Sequence, residues 1–141
     1  MLHFQLVSAT DVKYDADVYE VLVPTKDGQI SVFESHMPLL AAGAPGVLSV
    51  RKQPNDADSS MEDFAVYGGV LEVDGKTARF VTDDVTAADE VSEQAAREAM
   101  ERAQELVDSA GTHEALHEAK AVLHQSTVKL HLAQLRRRHH R

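Results

Sequence analysis

Four histidines, His113, His117, His124 and His131, stand 4, 7 and 7 residues apart, which places them along one stripe of a helix. Imidazoles in such a row could ligate a metal, or titrate together, because the side chain ordinarily changes charge near pH ~6.5. Only His113 and His117 have the i, i+4 spacing needed to share one ion, and no acid or cysteine completes the set in sequence. A metal site, a pH-responsive face and an ordinary polar helix face all stay open, with most weight on the last. Ser35-His36 resembles half of a nucleophile site but has no third orienting group. The acid pairs Glu62-Asp63 and Asp83-Asp84 are neighbours in strand-like runs and would point to opposite faces, which suits solvation better than shared proton transfer. Gly68-Gly69 lacks the lysine and following helix of a phosphate-cradling loop, and is read as a bend or bulge where another backbone comes close. The remaining concentration of chemistry is Arg136-Arg137-Arg138 with Arg141. Four guanidiniums exceed what a helix C-terminus needs and suit an acidic protein surface.

These residues sit on two kinds of sequence. Residues 1–88 hold 6 basic and 14 acidic side chains, a balance of −8, while residues 89–141 hold 8 and 9, a balance of −1, out of −9 for the 141-residue chain. So acidic a body excludes nucleic acid as a partner. The absence of cysteine removes disulfide and thiol chemistry and fits a reducing compartment. The opening Met1-Leu2-His3-Phe4-Gln5 has neither the basic run nor the apolar core of a signal peptide, and no apolar window approaches ~18 residues. The expectation is a soluble protein that reaches any membrane only through a partner, without inserting into lipid.

In the first half, His3–Ala9 and Asp17–Val23 alternate with period two, as strands do. Asp27-Gly28 predicts a tight reversal before Gln29–Phe33, Asp74-Gly75 another between Val70–Val73 and Lys76–Thr82, and Ala44-Pro45-Gly46 a turn into Val47–Arg51. The polar stretch between Lys52 and Glu62 reads as an exposed hairpin loop. Seven or more short strands at this spacing predict a sandwich or flattened barrel. In the second half Asp89 is a candidate N-cap, with Glu90 and Glu93 in the first turn where the helix dipole favours negative charge. Ala95, Ala99, Ala103, Leu106 and Ala110 form one small-residue face. Gly111 is placed as a left-handed C-cap and Thr112 as the cap of a second helix bearing Leu116, Ala119, Leu123, Ser126, Leu130 and Ala133. The short connection makes the helices an antiparallel hairpin. Its alanine-rich seam omits apolar area worth roughly 1–2 kcal/mol per site relative to leucine. The fold class expected is α+β, an N-terminal antiparallel β-sandwich over residues 1–87 followed by an antiparallel α-helical hairpin over 88–141.

Nearly the whole length resembles the epsilon subunits of bacterial F-type ATP synthases. The resemblance rests on Val23-Pro24-Thr25-Lys26-Asp27-Gly28-Gln29-Ile30, Ser35-His36-Met37-Pro38-Leu39-Leu40, Pro45-Gly46-Val47-Leu48 and Tyr67-Gly68-Gly69-Val70-Leu71-Glu72-Val73 taken together. It implies a non-catalytic rotor subunit of the central stalk, without cofactor or metal, lying peripherally at the cytoplasmic face of the bacterial membrane. By resemblance, Asp27, Gly28 and Gln29 meet the polar loops of the membrane ring, and His36, Met37, Pro38 and Leu39 meet the γ subunit. The hairpin is an arm that can rise and inhibit ATP hydrolysis through Arg136, Arg137 and Arg138 on acidic loops of the catalytic subunits.

The departures from that family matter as much. Ser31 stands where glycine is usual, and Glu34-Ser35 where Pro-Gly is usual. Members that bind ATP resemble Ile/Leu-Asp-x-x-Arg-Ala at the first helix, where this chain has Val91-Ser92-Glu93-Gln94-Ala95-Ala96. Ser92 and Ala95 therefore replace the acid and the arginine. Arg97 comes two positions late, about 200° around the helix. No nucleotide site is expected. Without the resemblance, the alternative is a β-sandwich adaptor whose hairpin binds a partner helix, unrelated to ATP synthesis.

Overall fold

A computed structural model describes the backbone of residues 1–139 and the side chains through Arg136. Eight strands come first: β1 (Leu2–Val7), β2 (Val12–Val18), β3 (Glu20–Thr25), β4 (Gly28–Phe33), β5 (His36–Arg51), β6 (Glu62–Gly75), β7 (Thr77–Val81) and β8 (Val85–Ala87). Two helices follow, α1 (Glu93–Asp108) and α2 (His113–His139). None of the described helices is long and apolar enough to cross a membrane.

Period-two alternation builds the sandwich as expected. Leu2, Phe4 and Leu6 of β1 turn inward, and they meet Val21 and Val23 of β3, Val32 of β4 and Leu48 and Val50 of β5 in one continuous core. The hydrogen-bonded path runs β2-β1-β7-β6-β5-β3-β4, with β8 added to β6, and folds over so that its two ends face each other. All pairings are antiparallel except β1 with β7, which is parallel.

The turn expected at Ala44-Pro45-Gly46 does not form. β5 runs straight through these residues for 16 residues and pairs with the 14 of β6, so the expected strands Val47–Arg51 and Val70–Val73 are ends of two long ones. Proline and glycine here serve a bend within a paired ribbon. Gly43 lies opposite Gly69, and a Cβ on Gly43 would stand 2.6 Å from the Phe80 ring. Gly68 and Gly69 take φ of 110° and 143°, open to glycine alone, and the backbone carbonyl of Val81 occupies the space a Gly69 side chain would need. At this bend the inward face changes parity, from Phe64 and Val66 on one side to Leu71 and Val73 on the other. Ser35 is the only non-glycine described residue with positive φ, 66°, at the turn between β4 and β5.

The loop between β5 and β6 is the exposed connection that its polar composition predicts, and Arg51 pins it. The guanidinium reaches Glu20 at 2.9 Å and Asp58 at 2.6 Å and also donates to the Asp56 carbonyl, while Ser31 donates to Glu20 at 3.0 Å. At the opposite edge, the His3 ring lies between Asp17 at 2.8 Å and Asp15 at 2.7 Å, which ties β1 to edge strand β2. The hydrogen bond to Asp17 leads in raising the imidazole pKa above its ordinary 6.5.

Gly43→Ala is expected to lower stability by about 1–3 kcal/mol through overpacking against Phe80. Ser35→Gly is expected to raise it by about 1 kcal/mol by relieving a left-handed serine, both read from urea unfolding midpoints. A raised folded-state pKa means that the contribution of His3 is complete below the ordinary value of 6.5 and lost as pH climbs through the raised one. After correction for intrinsic rates, amide exchange in β2 should therefore accelerate across that window, and His3→Asn should abolish the pH step. A step that persists in His3→Asn would place its origin elsewhere.

Candidate functional site

The most built surface of the molecule is the one on which the helical arm lies. After the bend, the ribbon of β5 and β6 presents its outer side: Val47, Ala65 and Tyr67 toward the arm at one end, and Leu40 and Val70 toward solvent at the other. Ala65 is fully buried there, together with Val91, Ala96, Val128, Leu130, Leu132 and Ala133. Helix α2 is thus apolar on two sides, one meeting α1 and one meeting the sheet, and its polar residues are confined to what remains.

The helix seam departs from the expected one at two positions. Ala95 is exposed and Leu106 is 55% exposed, while Ala96 and Ala103 are buried with Ala99 and Met100 beside them. Ala99, Ala103 and Ala110 of the expected stripe keep their inward place, and only its first and fourth members change, Ala96 and Val107 turning in instead of Ala95 and Leu106. On α2 the expected face holds, with Ala119, Ser126, Leu130 and Ala133 buried.

The caps also differ. Asp89 belongs to a short 3-10 turn, Ala88–Glu90, and the N-cap of α1 is Ser92, whose Oγ accepts the Ala95 N–H at 3.3 Å. Two extended residues, Val91 and Ser92, separate the turn from the helix and let Val91 bury its side chain. Ser109 closes α1, and Gly111 is not left-handed; its neighbour Thr112 caps α2 as expected, accepting from Ala115 N at 3.1 Å.

Lys129 and Arg136 tie the arm's far end to the body and to residues 88–91. The Tyr67 and Thr86 hydroxyls share a hydrogen bond of 3.0 Å, and Lys129 stands 5.9 Å above the Tyr67 ring. Burial is the main cause raising the Tyr67 pKa. Arg136 Nη1 donates to the main-chain carbonyls of Ala88 at 3.2 Å and Val91 at 3.3 Å. It lines a cleft of about 340 Å³ with Asp63, Ala88 and Asp89, where Ser49 Oγ donates to Asp63 Oδ1 at 2.5 Å. The side chains of Arg137 and Arg138, and the whole of Arg141, lie outside the described residues.

Elsewhere the candidates separate. His113, His117, His124 and His131 are all exposed, and among the described residues no group of three histidine or acidic side chains could hold a metal. His36 Nδ1 donates to the Met37 carbonyl at 2.8 Å, so that ring nitrogen is not aimed at Ser35. Asp83 and Asp84 are exposed, and Glu62 pairs with Lys52. Asp27, Gly28 and Gln29 form the exposed tip of the β3–β4 hairpin, with Gly28 at φ 114°. Met37 is 74% exposed and Pro38 exposed, whereas His36 and Leu39 are half-buried. Leu40, at 70%, was missed by motif reading, as were Val70 and Val81, which lie opposite each other on β6 and β7. The Leu39-Leu40 pair was the available signal: in a strand only one of two adjacent leucines can face inward.

The sandwich carries a docked helical hairpin at one end of its outer side and a bare apolar strip at the other. The chain belongs to the ATP synthase delta/epsilon family: the family's β-sandwich domain, described as "ATP synthase, Delta/Epsilon chain, beta-sandwich domain", matches residues 1–88. It is 32% identical to the ATP synthase epsilon chain of Chloroflexus aggregans over 95% of this chain and 93% of that one. To the epsilon chain of Ruthia magnifica it is 28% identical, over 93% and 91% respectively. The same fold occurs in a chain of the Euglena gracilis mitochondrial ATP synthase, with TM-score 0.81 and 16% identity over 94% of this chain and 81% of that one. As a member of this family the protein is a non-catalytic subunit.

Proposed function

We propose that residues 1–87 form a rotor body that couples the membrane ring to the γ subunit, and that residues 88–141 form a regulatory arm that brakes ATP hydrolysis. The observation that carries the reading is the division of the body's outer surface. One end is covered by the chain's own arm, while Met37, Leu40, Val70 and Val81 remain bare at the other, available for a permanent partner. His36, Met37, Pro38 and Leu39 are assigned to γ, with Leu40 added from its exposure. Asp27, Gly28 and Gln29 are assigned to the ring's polar loops, since the hairpin tip they form projects from the sandwich edge. Arg136, Arg137 and Arg138 are assigned to acidic loops of the catalytic subunits when the arm is raised. The place of work is the cytoplasmic face of a bacterial membrane, held peripherally through these partners.

Nucleotide has little to hold it. The cleft beside the start of α1, about 230 Å³, is lined by Thr86, Glu90, Val91, Ser92, Ala95, Ala96, Ala99 and Lys129. Its one cation lies over Tyr67, Glu90 opposes phosphate, and the Ser92 hydroxyl is already engaged as the helix cap. The resting arm is held by the chain's own contacts, without nucleotide.

In the reconstituted complex, a chain ending at Gly111 is expected to hydrolyse ATP faster than the full chain. Equal rates under all nucleotide conditions would remove the brake. Met37→Asp with Leu40→Asp should reduce recovery of γ with the tagged chain, and unchanged recovery would move the γ contact elsewhere. Calorimetric titration with ATP is expected to show no binding in the micromolar range; a micromolar Kd overturns the nucleotide-independent arm.

A further inference from the structure

We propose that Arg136 is the latch of the arm, and that raising the arm is an exchange in which a partner's carboxylates take this guanidinium from two carbonyls of the hinge. The proposal rests on the moving-arm reading above and adds the residue that couples release to capture. The hinge is a three-residue 3-10 turn, Ala88–Glu90, flanked by extended Ala87 at ψ 156° and Val91 at ψ 128°. Arg136 Nη1 bridges its two ends, reaching carbonyls three residues apart in the chain and 48 and 45 residues from itself. These bonds require the present hinge conformation and the present seat of α2 at once, so any swing of the arm breaks both.

The magnitudes suit a latch that yields. Both bonds are long, at 3.2 and 3.3 Å, and both acceptors are neutral; the Ala88 carbonyl also receives the Val91 N–H at 3.4 Å. Guanidinium on carboxylate makes shorter bonds, about 2.7–2.9 Å, frequently as a bidentate pair, and such charge-assisted bonds are roughly twice as strong as neutral ones. An acidic protein surface therefore wins the side chain where water does not. Asp63 and Asp89 line the same cleft, and their negative charge favours the guanidinium there until such a surface arrives. One group cannot serve both sets of acceptors, so the docked and engaged states exclude each other through this residue.

The chain has no cysteine, so Asp83→Cys on the body and Glu101→Cys on α1 accept a unique pair of spin labels. Distances are measured on the full chain, alone and in the reconstituted complex. Arg136→Gln is expected to raise the detached fraction of the isolated chain about tenfold, the loss of one hydrogen-bonded charged group. Lys120→Gln, an equal loss of charge on the exposed side of α2, should leave it unchanged. Leu132→Ala, which removes a fully buried side chain, should also detach the arm and shows that the labels report release. In the complex, Arg136→Gln should release the arm yet inhibit hydrolysis less than the unsubstituted chain does. An isolated Arg136→Gln chain as closed as the unsubstituted one overturns the latch, and so does Lys120→Gln opening it equally. Label distances in the complex that never change overturn the moving arm, while the isolated-chain result still decides the latch.

Discussion

Everything outside the core depends on the crossing of β5 and β6 at Gly43 and Gly69. Two long strands must pass from one layer of the sandwich to the other without breaking their shared ladder, and only residues without a side chain let the ribbon bend beneath Phe80. Because the inward face changes parity at the bend, the ribbon's outer side is divided. Val47, Ala65 and Tyr67 face one way and receive the arm; Leu40 and Val70 face another and stay bare. A side chain at either glycine would disturb both surfaces together.

The arm's attachment is built from contacts of unequal strength. Leu132, Val128 and Val91 supply aliphatic burial worth about 1.5–3 kcal/mol for each fully covered side chain. Between the helices, Ala96, Ala103, Ala119, Ser126 and Ala133 contribute close approach and little area. The connection over residues 88–92 adds a serine cap and a pair of hydrogen bonds to neutral carbonyls, each modest. The body is held differently, by Phe4, Phe80, Leu48 and Leu71 at zero exposure and by a partly buried Arg51–Glu20 pair. The seat of the arm is therefore held by less aliphatic burial than the core of the sandwich.

Much of this was legible in the residues, and the misreadings have local causes. Pro45-Gly46 signals a turn by every short-range rule, yet it lies within a strand, because Pro45 sits opposite Tyr67 in a ladder formed with residues some twenty positions later. Asp89 and Ser92 are both good caps in sequence, and burial of Val91 decides between them. Ala95 and Ala96 are equivalent in composition, and a rotation of about 100° per residue decides which is buried, set by the packing of α1 against α2 and Val91. Of the candidate contact residues, the exposed hairpin tip Asp27-Gly28-Gln29 could be read from turn chemistry, whereas Leu40, Val70 and Val81 become a strip only when three strands lie side by side.

By itself the sequence determined the kinds of element, their order, the acidic body and the small-residue character of the arm, because periodicity and composition act within one segment. It determined too that positions 92 and 95, a serine and an alanine, carry no charge. Only the tertiary structure decided that Arg136 lies against the carbonyls of Ala88 and Val91, that Ala65 is the floor of the arm's seat, and that β1 pairs in parallel with β7. Those contacts join residues tens of positions apart, and their geometry exists only once the ribbon has bent.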